Sequence, residues 1–536
     1  VGIQKLVVAN RGEIALRVFR ACRELGIATV AVAPEDDAGS LHARSADEAV
    51  RISSYLDPAE HVRAAREAGA DAVHPGYGFL AENADFAEVV EAAGLTWVGP
   101  TPEALRAGGD KLEAKRIAHE AGVPVVPEGE PDEIGFPLVV KAAAGGGGRG
   151  MRVVREAGEF DDALAAAMRE AKAAFGDERV FCERYVERPR HVEIQLLGDS
   201  KGTVVALGER ECSVQRRHQK VLEEAPSPAL DPELRTRMSE AAVAFARAIG
   251  YRSAGTAEFM LDGRDFWFLE LNGRIQVEHP VTELVSGADL VVEQLRIAQG
   301  EPLRAEPRLV GHAVEVRLYA EDPRTFLPQT GRLERLRLPA GIRVDAGVEE
   351  GDEVGTAYDP LIAKLIAHGS TRPDALDRLA AALGKTEVGG VVTNLPFLRW
   401  LVAHPALRAG ETTTAFLTEH PPLSAPPLRL PDRPWRGGFR LNLPAPPAAA
   451  PPDPDAAAEH GPGAEQGALS APMPGTVIRV LAAEGDLVQP RQPLVVLEAM
   501  KMETPVVSPY AAVVRTVHVQ EGDQVAGGTV LVELEE

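Results

Sequence analysis

Cysteine is scarce in this chain, with three in 536 residues, at Cys22, Cys182 and Cys212. An odd and scattered set makes no disulfide framework and suits reduced thiols in a cytosol. Long apolar runs are missing too. None would span a bilayer, and the opening Val1-Gly2-Ile3-Gln4-Lys5 runs into a predicted strand rather than a signal-like segment. A cytoplasmic chain without membrane contact is expected. Positive charge is short: 57 Lys and Arg against 80 Asp and Glu give a formal net charge of −23, which argues against a broad nucleic-acid surface. A P-loop is also absent. Gly384-Lys385-Thr386 resembles the end of one, but Leu379 stands where its first glycine is required.

What is present is globular, 45% hydrophobic and 26% charged, and too long for a single core. Residues 5–10 read as a strand, and Arg11-Gly12-Glu13 turns it into an amphipathic helix through Leu16, Val18, Phe19 and Leu25. Gly26 stops that helix before a second strand at 27–32. This is a β-α-β unit, continued at 71–75. His74-Pro75-Gly76-Tyr77-Gly78-Phe79 follows a strand, which suits a ligand loop and equally a plain turn.

Lys141 ends a strand and precedes Gly145-Gly146-Gly147-Gly148-Arg149-Gly150, which formally satisfies G-x-G-x-x-G. The residues after it, 151–154, read as a strand and not a helix, so a dinucleotide fingerprint is rejected. Strand, glycine loop and returning strand instead make a flap whose backbone N–H groups can close over phosphates. Residues 215–220 form the densest basic cluster, a solvated run if it stood alone. Downstream, Glu258 lies in an apolar strand, Glu270 ends the aromatic-rich 266–269, and Asn272 shares the face of Glu270 if that strand continues. Hard oxygen donors in this setting suit Mg²⁺ or Mn²⁺ on nucleotide phosphates, and surface carboxylates are the alternative. Arg274 and Glu278 then stand four apart with Gln276 and Val277 between.

Near the end, Glu484-Gly485-Asp486 leads to a β-branched run at 494–498. The same pattern recurs from Glu521-Gly522-Asp523 to a run at 530–535. The repeat predicts two similar half-sheets packed together, with Lys501 of Met500-Lys501-Met502 at the crossover between them. Before it, residues 421–467 are dense in Pro and Ala and read as a stiff polyproline-type linker.

The Met-Lys-Met sequence resembles the attachment site of a biotin carrier; a lipoyl carrier shares the architecture, but its lysine usually follows Asp. Residues 10–15, 74–79, 141–151, 216–220 and 274–280, continued by 320–323 and 358–364, resemble biotin carboxylase of the ATP-grasp family, over about residues 3–417. The fused pair resembles an acyl-CoA carboxylase α subunit. It implies an α/β and α+β multidomain fold: a Rossmann-like domain (1–110), an ATP-grasp domain (111–309), a biotin carboxylase C-terminal domain (310–418), the linker (419–467) and an all-β biotinyl domain (468–536). The resemblance further implies that Lys111, Lys141, Gly147, Gly148, Glu183, Arg184, Tyr185, Val186, His191 and His218 hold ATP. Glu258, Glu270 and Asn272 would hold the divalent ions. Lys220, Arg274, Gln276, Val277, Arg317 and Tyr77 would face bicarbonate or biotin, with Glu278 as the base.

Expected partners are a carboxyltransferase β subunit in a hetero-oligomer, biotin protein ligase, which would load Lys501, and bicarbonate. The expected product is carboxybiotin, passed to an acyl-CoA such as acetyl-CoA or propionyl-CoA. Methylcrotonyl-CoA is the alternative acceptor. A carbamoyl-phosphate-type synthetase would have no use for Lys501, and an inactive carrier or scaffold no need of Lys220, Glu258, Glu270, Arg274 and Glu278. The sequence departs from the family at Gly273, where a looser turn is expected, at Ala143 and Ala144 in the flap, and at Arg184 in place of lysine. There is no room for the β-barrel docking domain of many α subunits; Trp435 and Phe439 are read either as a docking remnant or as an apolar island.

Overall fold

The computed structural model describes residues 2–142, 151–175, 178–216, 219–306, 308–423, 468–473, 475–499, 502–525 and 527–535. The glycine flap with Gly147 and Gly148, His218, the linker from 424 to 467 and Lys501 lie outside them.

The N-terminal strands form a parallel five-stranded sheet in the order Glu48–Arg51, Ala28–Ala33, Lys5–Val8, Ala72–His74, Thr96–Trp97. Helix Gly12–Leu25 packs on it because Ile14, Val18 and Phe19 fall on one face with Leu6 and Val8 beneath. Gly26, at φ +71°, ends the helix in the left-handed conformation, as the sequence predicted.

The central feature is an eight-stranded antiparallel sheet. Its order is Asp265–Asn272, Ser253–Asp262, Arg190–Gly198, Val204–Arg216, Gln219–Ala225, His312–Tyr319, Leu361–Gly369, Arg343–Ala346. Gln219–Ala225 pairs directly with His312–Tyr319, with Leu222 opposite Val316. One sheet therefore runs through the stretch around residue 310 where the sequence suggested a domain boundary. A smaller sheet joins Arg152–Val154, Leu138–Ala142 and Val180–Arg184. Its antiparallel pair Leu138–Ala142 and Arg152–Val154 supplies the strand expected after the glycine run. Gly384 and Lys385 end helix Arg372–Lys385, which is no P-loop geometry.

The C-terminal residues form two four-stranded sheets that follow the sequence repeat. Gly475–Val480 corresponds to Ala512–Val517, and Pro493–Ala499 to Val530–Glu535. The halves also exchange their short strands: Leu487–Val488 pairs with Ala512–Val517, and Gln524–Val525 with Gly475–Val480. Val477, Leu497, Val514 and Val532 fill the shared core. Ala499 stands opposite Met502, and Lys501 falls between those two residues in sequence. No disulfide joins the three cysteines. Among the described residues no helix is long and apolar enough to cross a membrane.

Candidate active site

The site grows from one row of charged residues across four strands of the central sheet. Arg210 stands opposite Glu193, Glu193 opposite Glu258, and Glu258 opposite Glu270. A strand's side chains alternate between faces, so residues directly opposite one another share a face. Lys220 reaches this face from the neighbouring strand. Its Nζ donates to Glu193, to Glu258 Oε1 at 2.9 Å and to Glu278 Oε1 at 2.7 Å. Burial alone would depress the ammonium's pKa, but Glu193, Glu258 and Glu278 carry it well above the ordinary lysine range.

Glu278 immediately precedes helix His279–Ser286. Its other oxygen accepts from Arg317 at 3.1 Å, and Arg317 also donates to Glu223 at 2.7 Å. Burial would raise the Glu278 carboxyl, but Lys220, Arg317 and Arg210 outweigh it and hold the pKa below the usual range. Glu278 is thus an ionised carboxylate between two cations. Glu258 is also ionised: burial opposes this, and Lys220 and His191 outweigh it, with His191 Nε2 3.0 Å away. Asn272 and Gln276 donate to Glu258 Oε1 at 2.8 and 3.0 Å. Arg274 donates to Asn272 at 2.9 Å and lies 3.1 Å from Glu82.

Four of these partners were not singled out from the sequence: Arg210, Glu193, Glu223 and Glu82. Arg210 is fully buried, and its guanidinium donates to Glu193, to Gln195 and Gln276 at 2.6 and 2.7 Å, and to Thr282 and Thr256 at 2.9 and 3.0 Å. Every fork of the guanidinium has an acceptor, which is what a buried arginine requires.

Glu270 closes the row at its outer edge. Lys111 Nζ is 3.9 Å away, and burial followed by the Glu258 charge pushes the Glu270 pKa upward. Two carboxylates that repel each other beside Asn272 are a donor set that a hard divalent cation would relieve, so these residues fit Mg²⁺ or Mn²⁺. On the small sheet, Glu183 takes both Lys141 and Lys115 as ion-pair partners. Burial first, then the Lys115 and Lys111 charges, bring Lys141 down to about 8. Three ammonium groups held this close suit a polyphosphate, whose charge would restore Lys141 and Lys115. Arg184 is exposed at the end of this sheet, while Tyr185 and Val186 follow half-buried. The Arg184 and Tyr185 N–H groups donate to Pro127 and Pro137 carbonyls at 3.0 Å.

Within its loop, the Tyr77 hydroxyl donates to Glu13. The loop is held by Asn10, whose Nδ2 donates to the Pro75 and Tyr77 carbonyls at 2.7 Å; a Cβ on Gly76, at φ +64°, would come within 2.8 Å of that amide. The turn at Gly273 is not loose. Its N–H donates to Glu82 at 3.1 Å, and a Cβ there would meet the Leu105 side chain at 2.8 Å, so a larger residue would require that leucine to shift.

Four family models cover most of the chain: "Biotin carboxylase, N-terminal domain" at residues 2–105, "Carbamoyl-phosphate synthase L chain, ATP binding domain" at 110–306, "Biotin carboxylase C-terminal domain" at 315–419 and "Biotin-requiring enzyme" at 467–534. The propionyl-CoA carboxylase alpha chain of Ruegeria pomeroyi is 47% identical over 473 residues, 80% of this chain and 70% of that one. The mitochondrial methylcrotonoyl-CoA carboxylase subunit alpha of Arabidopsis thaliana is 48% identical over 445 residues, and the match spans 61% of its length. Among solved structures, the biotin carboxylase domain of Hydrogenobacter thermophilus 2-oxoglutarate carboxylase, in complex with MgADP, ADP and bicarbonate, matches with a TM-score of 0.75 at 45% identity. That match covers 78% of this chain and 98% of the domain. The biotin carboxylase of Halalkalibacterium halodurans is 47% identical over 441 residues, 98% of its own length, and the chain belongs to the biotin carboxylase family, with an ATP-binding domain of the ATP-grasp type and a C-terminal biotin-requiring domain.

Proposed function

We propose that this chain uses ATP and bicarbonate to carboxylate biotin carried on its own Lys501, and so supplies a separate carboxyltransferase chain that acts on an acyl-CoA. The observation that supports this most is the Lys220–Glu278–Arg317 arrangement, a buried carboxylate held ionised between two cations beside the candidate metal donors. Bicarbonate is a poor nucleophile until its proton is removed. Glu278 is the base in reach of an anion bound by Lys220 and Arg274. In the substrate-free site the flanking cations make Glu278 a weak base. An anion arriving on Lys220 takes part of that cation's pull, and the proton affinity of Glu278 rises as the proton needs a home.

The deprotonated bicarbonate oxygen would attack the γ-phosphorus of ATP, held by Lys111, Lys141 and the candidate metal donors, with ADP as leaving group. A divalent ion on Glu258, Glu270 and Asn272 would supply charge neutralisation at the phosphates. The carboxyphosphate so formed would break down to CO₂ and phosphate, and that phosphate would take the N–H proton of the ureido nitrogen that biotin, when bound, would supply to take up the CO₂. Arg274 and Arg317 are the fixed guanidinium donors available to the negative oxygen that forms there.

The acceptor is read as an acyl-CoA because the α subunits named above act in propionyl-CoA and methylcrotonoyl-CoA carboxylases. Propionyl-CoA is the reading we favour between these two, since the match to that α chain runs furthest along both sequences. Purified chain should cleave ATP only with bicarbonate present and faster with free biotin. Cleavage independent of bicarbonate would refute the reading.

A further inference from the structure

Lys364 lies in the middle of strand Leu361–Gly369 and is fully buried. It stands opposite Arg317 on one neighbouring strand and Asp345 on the other. Its Nζ has two close oxygen partners. One is Glu13 Oε1, 3.0 Å away on the first turn of helix Gly12–Leu25, the oxygen that also accepts from the Tyr77 hydroxyl. The other is the backbone carbonyl of Val277, to which Lys364 donates at 2.8 Å.

That carbonyl belongs to the peptide unit that carries Glu278. A peptide unit is planar, so holding its oxygen fixes the plane and with it the direction in which Glu278 leaves the chain. Glu278 has to present one oxygen to Lys220 and the other to Arg317, at 2.7 and 3.1 Å. Small displacements of a reacting group are costly in rate. A neutral donor or a water could satisfy a loop carbonyl; a buried ammonium is a costly way to do so, and it ties the first helix, the 74–79 loop and the last large strand to this one peptide.

We infer that Lys364 is a positioning residue for Glu278, acting through the Val277 carbonyl. This rests on the proposed function, because Glu278 is assigned as base only there. The competing account is that Lys364 merely joins the domains through Glu13.

The test compares the full-length chain with Lys364→Met, Glu13→Gln and Glu13→Gln/Lys364→Met, measuring bicarbonate-dependent ATP cleavage and, by calorimetry, MgADP binding. A positioning role predicts a 10- to 100-fold lower kcat in both variants that lack the lysine, with MgADP affinity within threefold of wild type. Glu13→Gln, which keeps the Val277 contact, should lose clearly less. The double variant matters because it does not leave the Glu13 carboxylate buried without its lysine and can fold where Lys364→Met does not. Recovery of kcat in the double variant overturns the inference, as does a loss in Glu13→Gln equal to that in Lys364→Met. Failure of both lysine variants to bind MgADP also overturns it, in favour of the joining role. Wild-type chain without bicarbonate-dependent cleavage would overturn the proposed function instead, before any variant is compared.

Discussion

Replacing Arg210 by methionine should be among the most damaging single changes in the central sheet, although the side chain touches no expected substrate. Its five hydrogen bonds end on Glu193, Gln195, Thr282, Thr256 and Gln276. Methionine fills similar volume and donates nothing. The two threonine hydroxyls can rotate to other acceptors, but the Gln195 and Gln276 amide oxygens and the Glu193 carboxylate cannot. Each unmet group costs about 1–3 kcal/mol, and such costs do not add within one network. Breaking a buried ion pair costs about 3–5 kcal/mol as a whole. Lys220 still compensates Glu193, which favours the lower half of that range. We expect Arg210→Met to lose about 3–4 kcal/mol and Arg210→Lys, with at most three donors, somewhat less. Adding Glu193→Gln to Arg210→Met should recover part of the loss. Urea denaturation followed by circular dichroism reads all three. An Arg210→Met protein within about 1 kcal/mol of wild type would show that the buried guanidinium is no keystone of this face.

Glu278→Gln should lower bicarbonate-dependent ATP cleavage about 10²- to 10⁴-fold, the usual worth of a general base. Arg274→Ala should harm biotin carboxylation more than ATP cleavage, and equal losses in both assays for both variants would refute that division. Lys501→Ala should abolish streptavidin binding yet leave carboxylation of free biotin intact; a biotinylated variant would disprove the assignment of that lysine. Glu315 is buried with no hydrogen-bond partner on either oxygen among the described residues, and burial, with Glu223 and Glu278 adding to it, pushes its pKa well above the carboxylate range. A carboxyl whose folded pKa is raised contributes stability below its unfolded value and loses it as pH climbs through the folded one. Glu223, raised to about 7 by the same burial, titrates in that window too. Glu315→Gln cannot ionise, so its denaturation midpoint should fall less than that of wild type as pH rises from the ordinary carboxylate range; parallel profiles would refute the assignment.

Much of the fold was legible because its signals are local. Helix Gly12–Leu25 carries its apolar stripe and its glycine stop within one short stretch. The two β halves near the C-terminus announce themselves by a repeated Glu-Gly-Asp pattern, and both glycines take positive φ, at +92° and +97°. What stayed hidden is non-local. The exchanged strands Leu487–Val488 and Gln524–Val525 have two residues each, too few for any periodicity. The pairing of Leu222 with Val316 that carries the sheet past residue 310 has no signature in either segment.

The site divides along the same line. Lys220, Glu258, Glu270 and Arg274 stood out because charge clustered beside aromatic or glycine-rich sequence. Arg210, Glu193 and Glu223 did not, because Glu193 and Gln195 alternate with Val192, Ile194 and Leu196 as they would on a strand with one face in water, and Glu209-Arg210-Glu211 and Glu223-Glu224 read as short solvated charge runs. The rule behind that inference is sound, since an unpaired charge is too costly to bury. Here its premise fails: the charges are paired with one another across strands, Arg210 with Glu193 and Arg317 with Glu223, and the polar face is interior. A single strand cannot reveal this, because the compensating charge always lies on another strand. Opposite charges on several alternating strands of one chain would have been the available clue, and it gains meaning only once the register places them in a row.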